Sequence, residues 1–296
     1  MRTTSRRLLL LLVLVLIMVG CTNVTYDDSS NVVEAEEIAS LMQQENVVLV
    51  DVRAAEEYAK GHVEGAMNLT TGELTKNEPT PGLIADLETV EAVLGSKGIG
   101  NDSKILLYDD SGIHATRLWW VLKVYGHEDV QVINGGAAAL VKAGLPLSME
   151  VPSYSSVDYT AKSADMDLIA TYDMVNAQVE NPKDNVVILD VRSAAEFAEG
   201  AIPGAILYPH TNHFYADGTF KSKRAIELDY KDLGIDKEDT VYVYCKTSVR
   251  ATPVMLLLRE AGFNDVKVYD GAWLEWEQQG TIELVEEPVV TPQDAS

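Results

Sequence analysis

The chain repeats itself, and the repeat sets its architecture. Val47-Val48-Leu49-Val50-Asp51-Val52-Arg53 recurs 139 residues later as Val186-Val187-Ile188-Leu189-Asp190-Val191-Arg192. In each copy an acidic, alanine-rich segment and a glycine turn follow, so that Gly61 and Gly65 match Gly200 and Gly204. Further on, Ile105-Leu106-Leu107-Tyr108-Asp109 aligns with Val241-Tyr242-Val243-Tyr244-Cys245 at an offset of 136. At the same offset Tyr125-Gly126-His127 aligns with Ala261-Gly262-Phe263. The intervening connection therefore differs by three residues. A period near 140 is a duplicated domain rather than a solenoid unit, and 296 residues with 47% apolar content suffice for two compact domains.

Inside each copy, short β-branched runs alternate with amphipathic stretches of helical length. In the second copy the pattern predicts helices over 171–179 and 223–233 and strands over 186–191, 241–244 and 266–269. Such alternation implies an α/β fold with a parallel sheet and helices on both faces. The expected order is a leader over 1–20, a tether over 21–32, a first domain over 33–149, a linker over 150–166, a second domain over 167–284 and a tail over 285–296.

Cys245 follows the apolar strand 241–244 directly, and the next residues are Lys246, Thr247, Ser248, Val249 and Arg250. Beyond the loop, Val254, Leu257, Leu258 and Ala261 are spaced as on a helix, so the thiol lies between a strand end and a helix N-terminus. Reactive groups of open α/β sheets sit at such carboxyl ends. The helix dipole and the basic side chains favour an anion there, in this case a thiolate.

The other cysteine belongs to the leader. Arg2, Arg6 and Arg7 precede an uninterrupted apolar run over 8–19, short for a membrane span and suited to a secretory signal. Met18-Val19-Gly20-Cys21 resembles the bacterial lipoprotein signal, which implies cleavage before Cys21, its lipidation and attachment to a membrane; an uncleaved N-terminal anchor is the alternative. Both readings place the bulk of the chain outside the cytoplasm, in the cell envelope. Cleavage would leave Cys245 with no disulfide partner in the chain.

The net charge of −23 becomes more negative by three once the leader arginines are gone. Such a surface repels nucleic acid, which is not expected as a partner. An anionic substrate would need a local cationic site, and Lys246 and Arg250 are the side chains placed to form one.

Both halves resemble rhodanese domains, and the pair resembles the tandem-domain sulfurtransferases, with thiosulfate and 3-mercaptopyruvate sulfurtransferases as the known types. The resemblance rests on Asp190-Val191-Arg192 followed by Gly200-Ala201-Ile202-Pro203-Gly204-Ala205, on Asp217-Gly218-Thr219-Phe220-Lys221, and on Tyr269-Asp270-Gly271-Ala272-Trp273-Leu274-Glu275-Trp276. It implies a silent first domain and a second domain whose Cys245 carries a persulfide, cradled by the backbone N–H groups of residues 246–250. Asp190 and Arg192 support that loop, with Arg192 a brace rather than a substrate ligand. Asp109 stands where the cysteine would be and His114 where Arg250 would be, and a carboxylate cannot carry sulfane sulfur. The chemistry needs no metal and no organic cofactor. The partners it implies are a small-molecule sulfur donor and an acceptor such as cyanide or a thiol, with a protein acceptor as a further possibility.

Cys245 to Arg250 is C-x4-R, a shorter loop than the C-x5-R of phosphatases that share this fold. Two positions depart from the family pattern. Ser248 stands where a glycine is common, and Glu196 stands where the thiosulfate and mercaptopyruvate enzymes often carry a substrate-binding arginine. An acid there disfavours a dianionic donor and keeps open a sulfane-sulfur carrier with little small-molecule turnover, or a scaffold in which Cys245 is incidental. His62 and His114 are expected as structural or surface residues, His210 and His213 as surface residues with facing the site as the alternative, and Asp109-Asp110 as a solvated pair.

Overall fold

The computed structural model describes residue 26 and residues 28–284. The leader, Cys21 and the tail lie outside the described residues.

Two five-stranded parallel sheets carry the fold. The first runs in the order Val32–Val33, Val130–Ile133, Lys104–Tyr108, Val47–Asp51, Met67–Asn68. The second repeats it as Ile169–Ala170, Asp265–Tyr269, Thr240–Tyr244, Val186–Asp190, Ile206–Leu207. The central strands are runs of β-branched and aromatic residues buried on both faces, as parallel sheets require. Element ends differ from the sequence expectation by a residue or so. The helix expected over 171–179 is Tyr172–Glu180, because the Thr171 hydroxyl caps it by accepting from Met174 N at 3.3 Å.

The two sheets share one apolar interior. Helix Ile113–Val124 of the first domain packs on Ala251–Glu260 of the second, and nearly every side chain of either helix is buried. A single cluster runs from Val50 and Ile105 through Leu118 and Trp120 to Val243, Cys245 and Val254. Separate smaller cores cover the outer face of each sheet, around Leu49 and Tyr108 in one and Ile188 and Tyr244 in the other. Thr116 and Thr252, related by the 136-residue offset, meet hydroxyl to hydroxyl at 3.2 Å and mark where the two halves face each other.

The described parts of the tether and the linker are both docked. Within the tether, Tyr26 is 2% exposed: its hydroxyl donates to Lys221 O and its ring meets Phe220 edge-on, so the segment clips onto the second domain. The linker forms no helix or strand through residue 165, yet Tyr159 is buried against His127, with its hydroxyl 3.1 Å from Nδ1. Backbone bonds from Val157 to Gly95 O and from Asp165 to Val124 O fasten it along the first domain.

Candidate active site

Cys245 sits at the carboxyl end of strand Thr240–Tyr244, 1% exposed, and the loop after it runs into helix Ala251–Glu260. The carbonyls of Cys245 and Lys246 accept from the first N–H groups of the next helix, those of Trp273 at 3.0 Å and Leu274 at 3.2 Å. Turning carbonyls outward leaves amides facing in, the geometry of an anion nest. Ser248 is fully buried in the left-handed region, at φ 64°, where a side chain costs roughly 1 kcal/mol that glycine avoids. Its hydroxyl hydrogen is shared between Thr247 O at 2.5 Å and Asp270 Oδ1 at 3.2 Å.

The first copy shows what this loop holds. Asp109 is not solvated as expected but 2% exposed, and its carboxylate accepts from Gly112 N at 2.6 Å, His114 N at 3.0 Å and the Ser111 hydroxyl at 3.0 Å. Burial pushes its pKa up, and these donors pull against that. Gly112 and His114 are the counterparts of Ser248 and Arg250, whose N–H groups find no acceptor among the described residues. The same turn thus wraps a carboxylate in one copy and surrounds a thiol in the other. Asp110 is exposed, 3.7 Å from Arg53 Nη1.

Arg250 does not offer free positive charge. Glu196 takes its guanidinium in a two-pronged pair, Oε2 to Nη1 at 2.8 Å and Oε1 to Nη2 at 2.7 Å. The same carboxylate closes a capping box with Ser193 at the head of helix Ala194–Glu199. Arg250 and then the Ser193 donors hold the Glu196 carboxyl down to about 2, and Glu196, with Cys245 adding to it, raises Arg250 further above its ordinary value. Lys246 is exposed, Thr247 and Val249 half-buried. Thr247 lies under the first domain: a Cβ on Gly82, at φ 97°, would come within 3.2 Å of it.

Arg192 is turned inward. It bonds both oxygens of Asp190 and the carbonyl of Gly200 at 2.7 Å, with its guanidinium over Trp273 at 4.3 Å and Tyr244 at 5.5 Å. Arg53 repeats these bonds to Asp51 and Gly61 O.

The histidines before the cysteine strand are not the surface residues expected. His213 is fully buried, with Nε2 2.8 Å from the Tyr230 hydroxyl and Nδ1 3.1 Å from His210 O, and desolvation lowers its pKa to about 3. His210 is half-buried near Arg250 and Glu196; burial first and then Arg250 lower its pKa, and its Nδ1 is buried with no partner among the described residues. His62 is buried between Tyr58 O and Glu150 O, each at 3.0 Å, and His114 is exposed. Among the described residues no group of three or more His, Cys, Asp and Glu side chains is placed to hold a metal ion.

Sequence reasoning missed Arg117 altogether and took Asp270 only as part of a motif. Arg117 reaches from the first domain to Asp270 Oδ1 at 3.0 Å, a pair 153 residues apart in the chain with no local signal to betray it.

Comparison with known proteins agrees with this geometry. The family described as "Rhodanese-like domain" matches residues 34–143 and 172–279. A Haloferax volcanii protein named "Putative thiosulfate sulfurtransferase" is 33% identical over 247 residues, 78% of this chain and 85% of that protein. The "Sulfur carrier protein TtuD" of Thermus thermophilus is 32% identical over 238 residues, 74% of this chain and 83% of that protein. Among solved structures, wild-type EanB superposes with a TM-score of 0.78 at 23% identity, covering 86% of this chain and 69% of its own. Another EanB structure has ergothioneine covalently linked with a persulfide cysteine. With four of the five strands of each sheet inside the matched spans, the chain belongs to the rhodanese-like family as a tandem-domain member.

Proposed function

We propose that this sulfurtransferase-family protein moves sulfane sulfur through a persulfide on Cys245, taking it from a monoanionic organic polysulfide or persulfide in preference to the thiosulfate dianion. The observation that carries the reading is Asp109, an anion wrapped by the turn that in the other copy surrounds Cys245. The Cys245 thiolate attacks the outer sulfur of R–S–S⁻; a bond forms to that sulfur, the old S–S bond breaks, and R–S⁻ leaves. An acceptor thiolate, or cyanide, then attacks the outer sulfur of the persulfide and returns Cys245 as thiolate. The amides of 246–250 and the helix N-terminus stabilise the anion at each stage. Asp190 and Arg192 support the loop from below, and the first domain carries no sulfur.

Donor choice follows from Glu196. With Arg250 paired, a dianion meets little net positive charge in a strongly acidic protein. The name of the Thermus relative supports a protein acceptor as a second reading of the same persulfide. The leader and Cys21 support a lipid-anchored protein in the bacterial envelope.

Intact mass after incubation of residues 22–296 with polysulfide should show one added sulfur, lost as thiocyanate on cyanide treatment. Cys245→Ser should abolish both steps, and Asp109→Asn should leave them intact. A sulfur adduct that survives Cys245→Ser would overturn the assignment.

A further inference from the structure

Asp270 stands between the Cys245 loop and the first domain. Its Oδ1 accepts from Arg117 Nη2 at 3.0 Å and lies 3.2 Å from the Ser248 hydroxyl, which it shares with the nearer Thr247 O at 2.5 Å, and its Oδ2 accepts from Ile84 N at 3.0 Å. Arg117 belongs to helix Ile113–Val124 of the silent domain and is 1% exposed. The same Nη2 holds Gly82 O at 2.7 Å, fixing the turn that presses on Thr247, and the guanidinium lies 4.6 Å from the Trp120 ring centre. One buried nitrogen therefore ties both the carboxylate that grips the loop and the turn that covers it.

The internal repeat supplies the control. The 136-residue offset carries Asp270 onto Asn134, Ile84 onto Phe220, Ser248 onto Gly112 and Arg117 onto Pro253. The backbone bond survives, since Phe220 N donates to Asn134 Oδ1 at 2.8 Å. What the silent side lacks is the rest: no hydroxyl at position 112, no acid at 134 and no cation at the place of Arg117. Gly112 takes its left-handed turn, φ 74°, with no side chain to place and its N–H held by Asp109 at 2.6 Å, whereas Ser248 takes the same turn beside Cys245 with a side chain to be accommodated.

We propose that Arg117 is a positioning residue for sulfur transfer: acting through Asp270, it holds Ser248 in its left-handed turn and so keeps the loop amides aimed at the Cys245 sulfur. The silent domain on this view supplies part of the working site. The inference rests on Cys245 as the nucleophile, so its test reads the thiol apart from sulfur transfer.

The experiment is site-resolved alkylation of Cys245 by iodoacetamide, beside persulfide formation from polysulfide, in the full chain with Arg117→Met, Ser248→Gly and both together. Arg117→Met should slow both reactions at least tenfold. The double form should recover to within threefold of Ser248→Gly alone, because glycine no longer needs the grip. A merely structural Arg117 would lower the melting temperature while leaving Cys245 reactivity within twofold of wild type, and that result overturns the proposal. So does an equal loss in the single and double forms. If Arg117→Met does not fold, Arg117→Lys keeps the charge without the fork and should show a smaller loss; wild-type reactivity there is likewise fatal. Absence of any persulfide in the wild type, with alkylation still dependent on Arg117, would sink the sulfurtransferase reading and leave the positioning role standing.

Discussion

On the proposed function, Glu196 sets the charge that an incoming donor meets. Its two bonds to Arg250 convert a side chain that could grip an anion into half of a pair, with both partners about a quarter exposed. Replacing it with glutamine keeps a cap for Ser193 and removes the charge. Glu196→Gln should raise the kcat/KM for the thiosulfate dianion relative to a monoanionic alkyl persulfide by roughly tenfold, a differential near 1.4 kcal/mol; an unchanged ratio in steady-state assays would show that Arg250 does not see the donor. Because Arg250 and Ser193 hold the Glu196 carboxyl down to about 2, wild-type selectivity should show no inflection from this group between pH 5 and 8. At this scale the contiguous part of the site was readable: Cys245, the C-x4-R loop, the misplaced acid at 196 and the missing nucleophile at Asp109 all lie within short motifs. The pairings were not readable. Glu196 and Arg250 are 54 residues apart, and Arg117 and Asp270 meet across 153, so only the folded chain shows that one acid neutralises a ligand and another recruits an arginine from the other half.

The segment His210–His213 shows how an element can import pH dependence. His213 is buried among Tyr208 and Tyr230, with ring centres 5.2 and 5.8 Å away, and desolvation lowers its pKa to about 3 against about 6.5 in an unfolded chain. The unfolded state therefore binds the extra proton between those values. The contribution is complete above about pH 6.5 and is lost as pH falls toward 3. From pH 7 to pH 5 that amounts to about 2 kcal/mol of lost stability. Urea titrations should show this loss in the wild type and a shallower slope in His213→Phe; equal slopes would place the pH dependence elsewhere. Hydrophobic periodicity located the three inner strands of this half and helices 172–180 and 223–232 to within a residue or so, since burial on both faces leaves a plain apolar run, but not the two-residue edge strands Ile169–Ala170 and Ile206–Leu207. It missed the burial of His213, because a short 3-10 turn has too few residues to display a period.

Across the whole molecule the two halves are joined by an interior rather than by a linker. The cluster that contains Trp120 also contains Cys245 and Val254, and Tyr26 and residues 150–165 bind the ends down. Calorimetry should accordingly give one cooperative transition with matching calorimetric and van't Hoff enthalpies, whereas two resolved peaks would mean that each sheet keeps its own core. The duplication itself was visible in the sequence; the shared core was not, because apolar residues on helices 113–124 and 251–260 read the same whether they face their own sheet or a neighbouring domain.

The two halves also roof each other. The turn at Gly82 presses on Thr247, while a Cβ at Gly112 would come within 3.2 Å of the Phe220 ring, so each copy closes the loop of the other. A duplicated protein of this build can lose a nucleophile more easily than it can lose a domain. On the proposed function, Asp109 frees the first copy from chemistry but not from constraint, because its turn at Gly82 and its helix 113–124 still meet the Cys245 loop and helix 251–260 of the other half.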